Sequence, residues 1–295
     1  MKNQNKAYLL AFTAVLLWST VATAFKLALI EYDFLQFLFI SSGIAMLFLF
    51  IIILVQRKFK LIFKIPKSDF LKLIFGGVLN PFLYYLVLFK AYSLLPAQMA
   101  QSLNYTWPIV LVIFSAIVFK QKLKAKTILS FALGFVGVVI ISFKGNLSVP
   151  NDTSILGLIL AVGSSVIWAS YWIINSLNKQ DSLVSLFINF LTGFILITPI
   201  MFIYSSFPTY EPKAFFAAIY SGLFEMGVTF LVWMFALKLS ETTARISNLI
   251  FLSPFISLFI ISIVLNEEIL FSTVIGLSVI IFGIAIDKIT LKKNQ

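Results

Sequence analysis

Apolar runs of about 20 residues dominate the chain, broken by short segments where charged residues and prolines collect. A helix rising ~1.5 Å per residue needs about 20 residues to cross the ~30 Å hydrocarbon core of a bilayer. Windows of that length predict ten membrane helices, over 7–30, 34–55, 70–93, 98–119, 126–144, 154–177, 183–205, 213–238, 243–265 and 270–287. The connections are brief. Arg57-Lys58-Phe59-Lys60 and Lys64-Ile65-Pro66-Lys67 follow the second window, and Leu95-Pro96-Ala97 follows the third. Membrane strands would instead alternate over about ten residues. The expected fold class is therefore all-α integral membrane.

The second half echoes the first. A shift of 150 aligns Leu10 with Leu160, Ala11 with Ala161, Trp18 with Trp168, Phe37 with Phe187 and Gly43 with Gly193. A shift of 146 aligns Gly76 with Gly222, Phe89 with Phe235, Leu103 with Leu249, Pro108 with Pro254, Thr127 with Thr273 and Gly137 with Gly283. Apolar matches arise easily by chance, so the Trp, Pro and Gly pairs carry the argument. The expected domains are two five-helix repeats, 1–147 and 153–295. An odd number of crossings makes the two repeats enter the membrane from opposite sides. Inverted repeats accompany alternating access, although duplication also yields symmetric scaffolds that carry nothing.

Charge orients the chain. If the N-terminus lies inside, the inner side receives all of the 22 Lys and Arg except Lys26, Lys90, Lys144 and Lys213. Basic residues concentrate on the cytoplasmic side, so both termini are expected there, in a bacterial inner membrane. Lys2, Lys6, the run from Tyr8 to Trp18 and Ala22-Thr23-Ala24 together mimic a cleavable signal. The run continues to Ile30, longer than a signal core, which favours a retained first helix.

Composition narrows the chemistry. The chain is 61% hydrophobic and 11% charged, whereas soluble domains carry about a quarter charged residues. A net charge of +11 would suggest nucleic acid for a soluble protein; here the inside rule accounts for it, and no nucleic-acid partner is expected. With no Cys and no His, the commonest thiol, imidazole and zinc chemistries are closed. No glycine-rich run closes with Lys-Ser or Lys-Thr, so no phosphate loop is present. No cofactor or metal is expected, and any transport must draw on gradients, exchange or an ATP-hydrolysing partner.

Several segments resemble the drug/metabolite transporter superfamily in its ten-helix EamA-type branch: Leu16-Leu17-Trp18-Ser19, Ala161 to Trp168-Ala169, Pro108-Ile109-Val110, Gln121-Lys122-Leu123 with Gly137, Pro254-Phe255-Ile256, and Glu267-Glu268-Ile269 with Gly276 and Gly283. The family's glutamate, nine residues before a helix glycine, is matched by Glu267 and Gly276, while the first half has Gln121 and Ser130. Gln101-Ser102-Leu103-Asn104-Tyr105-Thr106-Trp107-Pro108 is similar to the fourth helix of members that export aromatic amino acids. The resemblance implies a transporter, efflux more often than uptake, and an amino acid or related compound as substrate.

Of eleven carboxylates, only Glu225 falls deep inside a window, about 18 Å from the start of its helix. A charge there costs about 2.5–3.5 kcal/mol. It is therefore expected either to receive a substrate ammonium or a proton, or to stay protonated and bond a neighbouring helix. Trp18, Trp107, Trp168, Trp172 and Trp233 lie deeper than the interfacial belt where tryptophan collects. They are expected either to face a planar substrate or an ammonium, or to pack between helices, the safer reading for any single one; Trp18 and Trp168 are the best cavity candidates because the repeat places both on equivalent helices.

Asn80, Gln101, Asn104, Ser19, Asn248 and Ser253 offer polar groups near mid-membrane, for substrate or for helix contacts. Pro108 and Pro254 are expected to kink their helices, with Pro108 freeing the Asn104 carbonyl; Pro81 and Pro199 could kink theirs similarly. Lys26 and Lys90, at outer helix ends, either attract a carboxylate or snorkel. Arg245 reads as an orientation charge.

The reading is a secondary transporter whose substrate site is lined by Glu225, Trp18, Trp168, Asn104 and Asn248, with Lys26 and Lys90 near the outer mouth. Its expected partners are a small-molecule substrate and membrane lipid, with a homodimer left open. A channel, a scaffold or an intramembrane enzyme are the alternatives. The enzyme is disfavoured, because a single mid-membrane carboxylate offers no acid–base pair.

Overall fold

The structure, a computed structural model, describes residues 3–120, 125–144, 146, 150–240, 246 and 248–289, and every described element is helical. In chain order the main helices are α1 (Gln4–Ala28), α2 (Phe34–Val55), α3 (Lys67–Leu94), α4 (Ala97–Val118), α5 (Ala125–Phe143), α6 (Ile155–Ser176), α7 (Ser182–Tyr204), α8 (Pro212–Leu239), α9 (Leu249–Leu265) and α10 (Phe271–Ile289). A single helical turn, Phe59–Ile62, lies in the loop after α2. Seven of these helices are long and apolar enough to cross a membrane; the described apolar stretches of α5, α9 and α10 are shorter, at 10–17 residues. Helices suit this composition because lipid offers backbone groups no partners, and a helix satisfies them internally. Gln121-Lys122-Leu123, Glu241 and Arg245 lie outside the described residues, as do Lys2, Lys124, Lys292 and Lys293 and the side chains of Lys126, Thr127, Asn248, Asp287 and Lys288.

Local sequence sets the helix starts. Asn3 accepts from the Lys6 N–H at α1, and Ser154 from the Gly157 N–H at α6. Asp33 and Gln36 form a reciprocal capping box at α2.

Four helices are interrupted in mid-course. In α3 the stretch Val78–Leu83 is π-helical, and Asn80 leaves helical geometry altogether (φ −142°, ψ 119°) beside Pro81. In α8 the stretch Ser221–Glu225 is π-helical, followed by Gly227 outside the α basin. The first part of α4, Ala97–Asn104, is separated by Tyr105 and Thr106 from a second part starting at Trp107, with Pro108 in its first turn. A 3₁₀ stretch, Asn248–Leu252, leads into the α-helical part of α9, again with Pro in its first turn, Pro254. Proline removes a backbone donor and fits an initial turn, so helices re-start there. Pro199, by contrast, sits within an uninterrupted α7.

Packing pairs the helices in a regular way. α1 lies against α8 and α9; α6 lies against α3 and α4; α2 crosses α7, and α5 crosses α10. The last crossing brings two backbones together. A Cβ placed on Gly137 would sit 2.6 Å from the Gly276 carbonyl oxygen, and one on Gly276 would sit 2.7 Å from that of Gly137. Small residues let membrane helices approach backbone to backbone.

Polar ties hold the two ends. At the face where α1 begins, the proximal face, the Asn3 N–H donates to the Leu239 carbonyl and the Gln180 amide donates to Asp69 at 2.9 Å. At the opposite, distal face, Tyr32 donates to the Thr209 carbonyl at 2.8 Å and Gln36 to that of Ser206 at 3.0 Å.

Among the described residues, Asp181 is the best-connected proximal carboxylate. It accepts from the Lys58 ammonium at 2.7 Å and from the N–H groups of Leu183 and Val184 at the start of α7. Partial burial pushes its carboxyl up, but Lys58 and the two backbone donors outweigh this and hold it below the usual range. Such a group stabilises the fold above its unfolded value near 4 and loses that contribution as pH falls through its lower folded value. Thermal melting should therefore drop on acidification below about pH 4, and Lys58→Gln should shrink this drop. Identical pH profiles for the two proteins would rule the tie out as a contributor.

Candidate functional site

Three of the interruptions, those of α4, α8 and α9, border a cavity of about 380 Å³, within the size range of small-ligand sites. All five tryptophans line it: Trp18 from α1, Trp107 from α4, Trp168 and Trp172 from α6, and Trp233 from α8. Irregular backbone at membrane depth is tolerated where it is buried in protein or lines a cavity. The π-helical stretch of α8 ends on Glu225, which faces this space.

Glu225 is buried, at 9% exposure. Its Oε1 accepts a 3.1 Å hydrogen bond from the Tyr85 hydroxyl of α3; its Oε2 has no protein partner among the described residues. Nearby, Tyr84 donates to Asn104 Oδ1 at 3.4 Å, and the Asn104 amide donates to Ser164 at 2.8 Å. Asn104 thus joins α4 to α6 while its side chain borders the cavity. Gln101, one turn earlier, lines the same wall; among the described residues its Oε1 and the Trp172 Nε1 have no partner.

The rings form a continuous wall. Tyr84 stacks on Trp168 at 4.5 Å between centroids; Trp168 meets Phe230 at 6.0 Å, Phe230 meets Trp18 at 5.7 Å, and Trp18 meets Trp233 at 5.5 Å. This chain of contacts links α3, α6, α8 and α1, so both halves of the sequence build one surface. The wall continues toward the proximal face along Leu111 of α4, Leu237 of α8 and Ile250 of α9.

The distal end is shut. Phe25, Phe37 and Phe89 pack ring on ring, with Phe37 and Phe89 stacked at 4.1 Å and Phe25 edge-on to Phe89 at 4.9 Å; Tyr92 closes on Phe25 at 5.3 Å. Above them the Lys26 ammonium donates to the carbonyls of Tyr92 and Leu95, each at 2.8 Å. The Glu267 carboxylate accepts from the N–H groups of Ala97 at 2.8 Å and Gln98 at 3.2 Å, which open α4. A carboxylate at a helix N-terminus meets both free donors and the positive end of the helix dipole. Gln98 returns a bond to the Glu267 carbonyl at 3.1 Å.

The structure thus gathers Glu225, Trp18, Trp168 and Asn104 around one cavity. Lys26 stands above it, engaged with two carbonyls, and Lys90 lies outside it with its ammonium 4.8 Å from the centre of the Phe34 ring. The Asn248 side chain lies outside the description, its backbone falling in the 3₁₀ stretch before α9. Sequence reasoning passed over Tyr84 and Tyr85, and ranked Trp107, Trp172 and Trp233 behind Trp18 and Trp168. Helical spacing held a signal for one of these, since Trp172 follows Trp168 by one turn on the same face. Nothing in the sequence marks Tyr85 as the partner of a residue 140 positions away.

A second, more polar cavity of about 220 Å³ lies at the proximal face, bordered by Asp69, Lys72, Asn175, Lys179 and Asn189. Tyr171 borders it and also stacks on Trp168 at 5.6 Å, so the aromatic wall separates the two spaces. Among the described residues no group of His, Cys, Asp and Glu is arranged to hold a metal ion.

Comparison with known proteins agrees with this architecture. Along 284 residues the chain is 27% identical to a Bacillus subtilis protein named "Uncharacterized transporter YvbV", covering 95% of this chain and 90% of that one. Along 294 residues it is 22% identical to "Uncharacterized transporter YoaV" of the same organism, covering 98% and 99%. A crystal structure of a protein 20% identical in sequence superposes with a TM-score of 0.69 over 99% of both chains, a likeness of fold. The family model described as EamA-like transporter family matches twice, over residues 5–143 and 155–286. This multi-pass helical membrane protein belongs to the EamA-like transporter family.

Proposed function

We propose that the chain is a secondary transporter that exports a small amine-bearing metabolite, an amino acid or a related compound, by alternating access through the aromatic cavity. Its ten helices cross a bacterial inner membrane as two inverted five-helix repeats, 1–147 and 153–295, with the proximal face and both termini in the cytoplasm. The basic residues clustered at that face support this orientation. The two family matches fall one on each repeat.

Paired contacts support the symmetry. Adding 146 to Ser130 and Gly137 gives Gly276 and Gly283, and the close approaches between α5 and α10 are those of Gly137 with Gly276 and of Gly283 with the Ser130 carbonyl. They exchange when the halves are exchanged. Likewise α3 touches α7 at Gly77, just before a π-helical stretch, and α8 touches α2 at Gly222, within one.

One observation carries the reading: the buried carboxylate of Glu225 faces a ligand-sized cavity that is closed at the distal face by Lys26, Glu267 and a ring cluster. A carrier must open that closure in each cycle; a channel would show no counterflow. The chain has no cysteine, so introduced ones label without background. Lys26→Cys with Leu95→Cys, bridged by a short bismaleimide, should stop exchange in proteoliposomes while the unbridged pair still exchanges. Exchange that continues in the bridged protein would refute alternating access along this route.

A further inference from the structure

We infer that the cavity selects an organic monocation, a primary or secondary amine on a flat apolar ring system, and rejects the corresponding amino acid. This rests on the transport reading above and departs from it on the substrate, keeping the related amines and excluding the amino acids named there.

The lining carries one carboxylate and is mostly aromatic elsewhere. Glu225 borders the cavity, and among the described residues only its Oε1 has a protein partner, the Tyr85 hydroxyl. An ammonium brings N–H donors and one positive charge to the other carboxylate oxygen. The ring faces of Trp18, Trp168 and Phe230 attract a cation through their quadrupoles and stack on a planar body. The cavity, at about 380 Å³, accommodates an indole or phenyl group with a short side chain.

A substrate carboxylate finds no such reception. None of the described lining residues is Lys or Arg. Lys26 is occupied by two backbone carbonyls, and Lys90 stands over Phe34 outside the cavity. The unpartnered Trp172 N–H is a single neutral donor. A second carboxylate would therefore enter an aromatic space without a counter-charge and with Glu225 already present, and both circumstances disfavour its ionised form.

The test is counterflow in proteoliposomes holding the full chain, with protein-free vesicles subtracted, using labelled tryptamine against tryptophan and phenethylamine against phenylalanine. Neutral and anionic metabolites run in parallel as further arms. Each amine should exchange at least tenfold faster than its amino acid at equal concentration. An amino acid that moves as fast as its amine, or movement confined to the neutral and anionic arms, overturns the amine assignment and leaves transport standing. Absence of counterflow in every arm overturns both.

Discussion

Replacing Glu225 with Gln should reduce substrate exchange at least about 30-fold under sub-saturating conditions. That corresponds to ~2 kcal/mol, the lower end of the loss when one partner of a buried charged contact is removed. The fold should survive, because Gln retains an oxygen to accept from Tyr85 and fits the space of the original side chain. Glu225→Asp keeps the charge but withdraws it by one methylene, so it should retain part of the activity. Proteoliposome exchange measured beside melting temperature separates loss of function from loss of structure. Wild-type exchange in Glu225→Gln would leave the carboxylate as a helix-joining group and remove it from the mechanism.

The largest effect on stability should come from Gly137→Leu. A side chain there would meet the Gly276 backbone at 2.6 Å and Ile280 Cγ1 at the same distance, and a neighbouring backbone cannot rotate aside. Forcing α5 and α10 apart should cost about 3 kcal/mol, the upper end for overpacking, and lower the melting temperature by ~5 °C or more. Gly163→Ala is the matched control: its Cβ would meet nothing within 4 Å, so better helix propensity should leave melting unchanged or slightly higher. Equal melting of Gly137→Leu and wild type would show that the crossing is looser than its geometry.

Helix positions were largely legible because burying backbone in lipid demands long apolar runs, and hydropathy registers those directly. The window over 34–55 coincides with α2, and that over 154–177 exceeds α6 by one residue at each end. Hydropathy averages over a window, however, so it is blind to a change in hydrogen-bond period within a run. The π-helical stretches of α3 and α8 stayed hidden for that reason, although one of them holds Glu225. Pro108 and Pro254 did announce where α4 and α9 re-start, since a missing N–H is a local property. Pro199 announced nothing, as α7 absorbs it.

The site divided along the same line. Glu225 stood out because a lone charge in apolar sequence is costly in itself. Trp18 and Trp168 followed from their equivalence under the repeat. The contacts of Tyr85 with Glu225 and of Asn104 with Ser164 depend on how distant helices rotate toward each other, which no single helix encodes.

The two layers of the distal closure would part by different physics in the proposed cycle. Lys26 and Glu267 each hold main-chain atoms through two bonds, and a hydrogen bond to a charged group is worth about 1.5–3 kcal/mol net. Exposing a buried phenylalanine costs about 1.5–3 kcal/mol, so wetting Phe25, Phe37 and Phe89 is of like size per group. Water can replace the partners of the first layer but not those of the second, so trimming one ring and removing one ion should loosen this face to a similar degree.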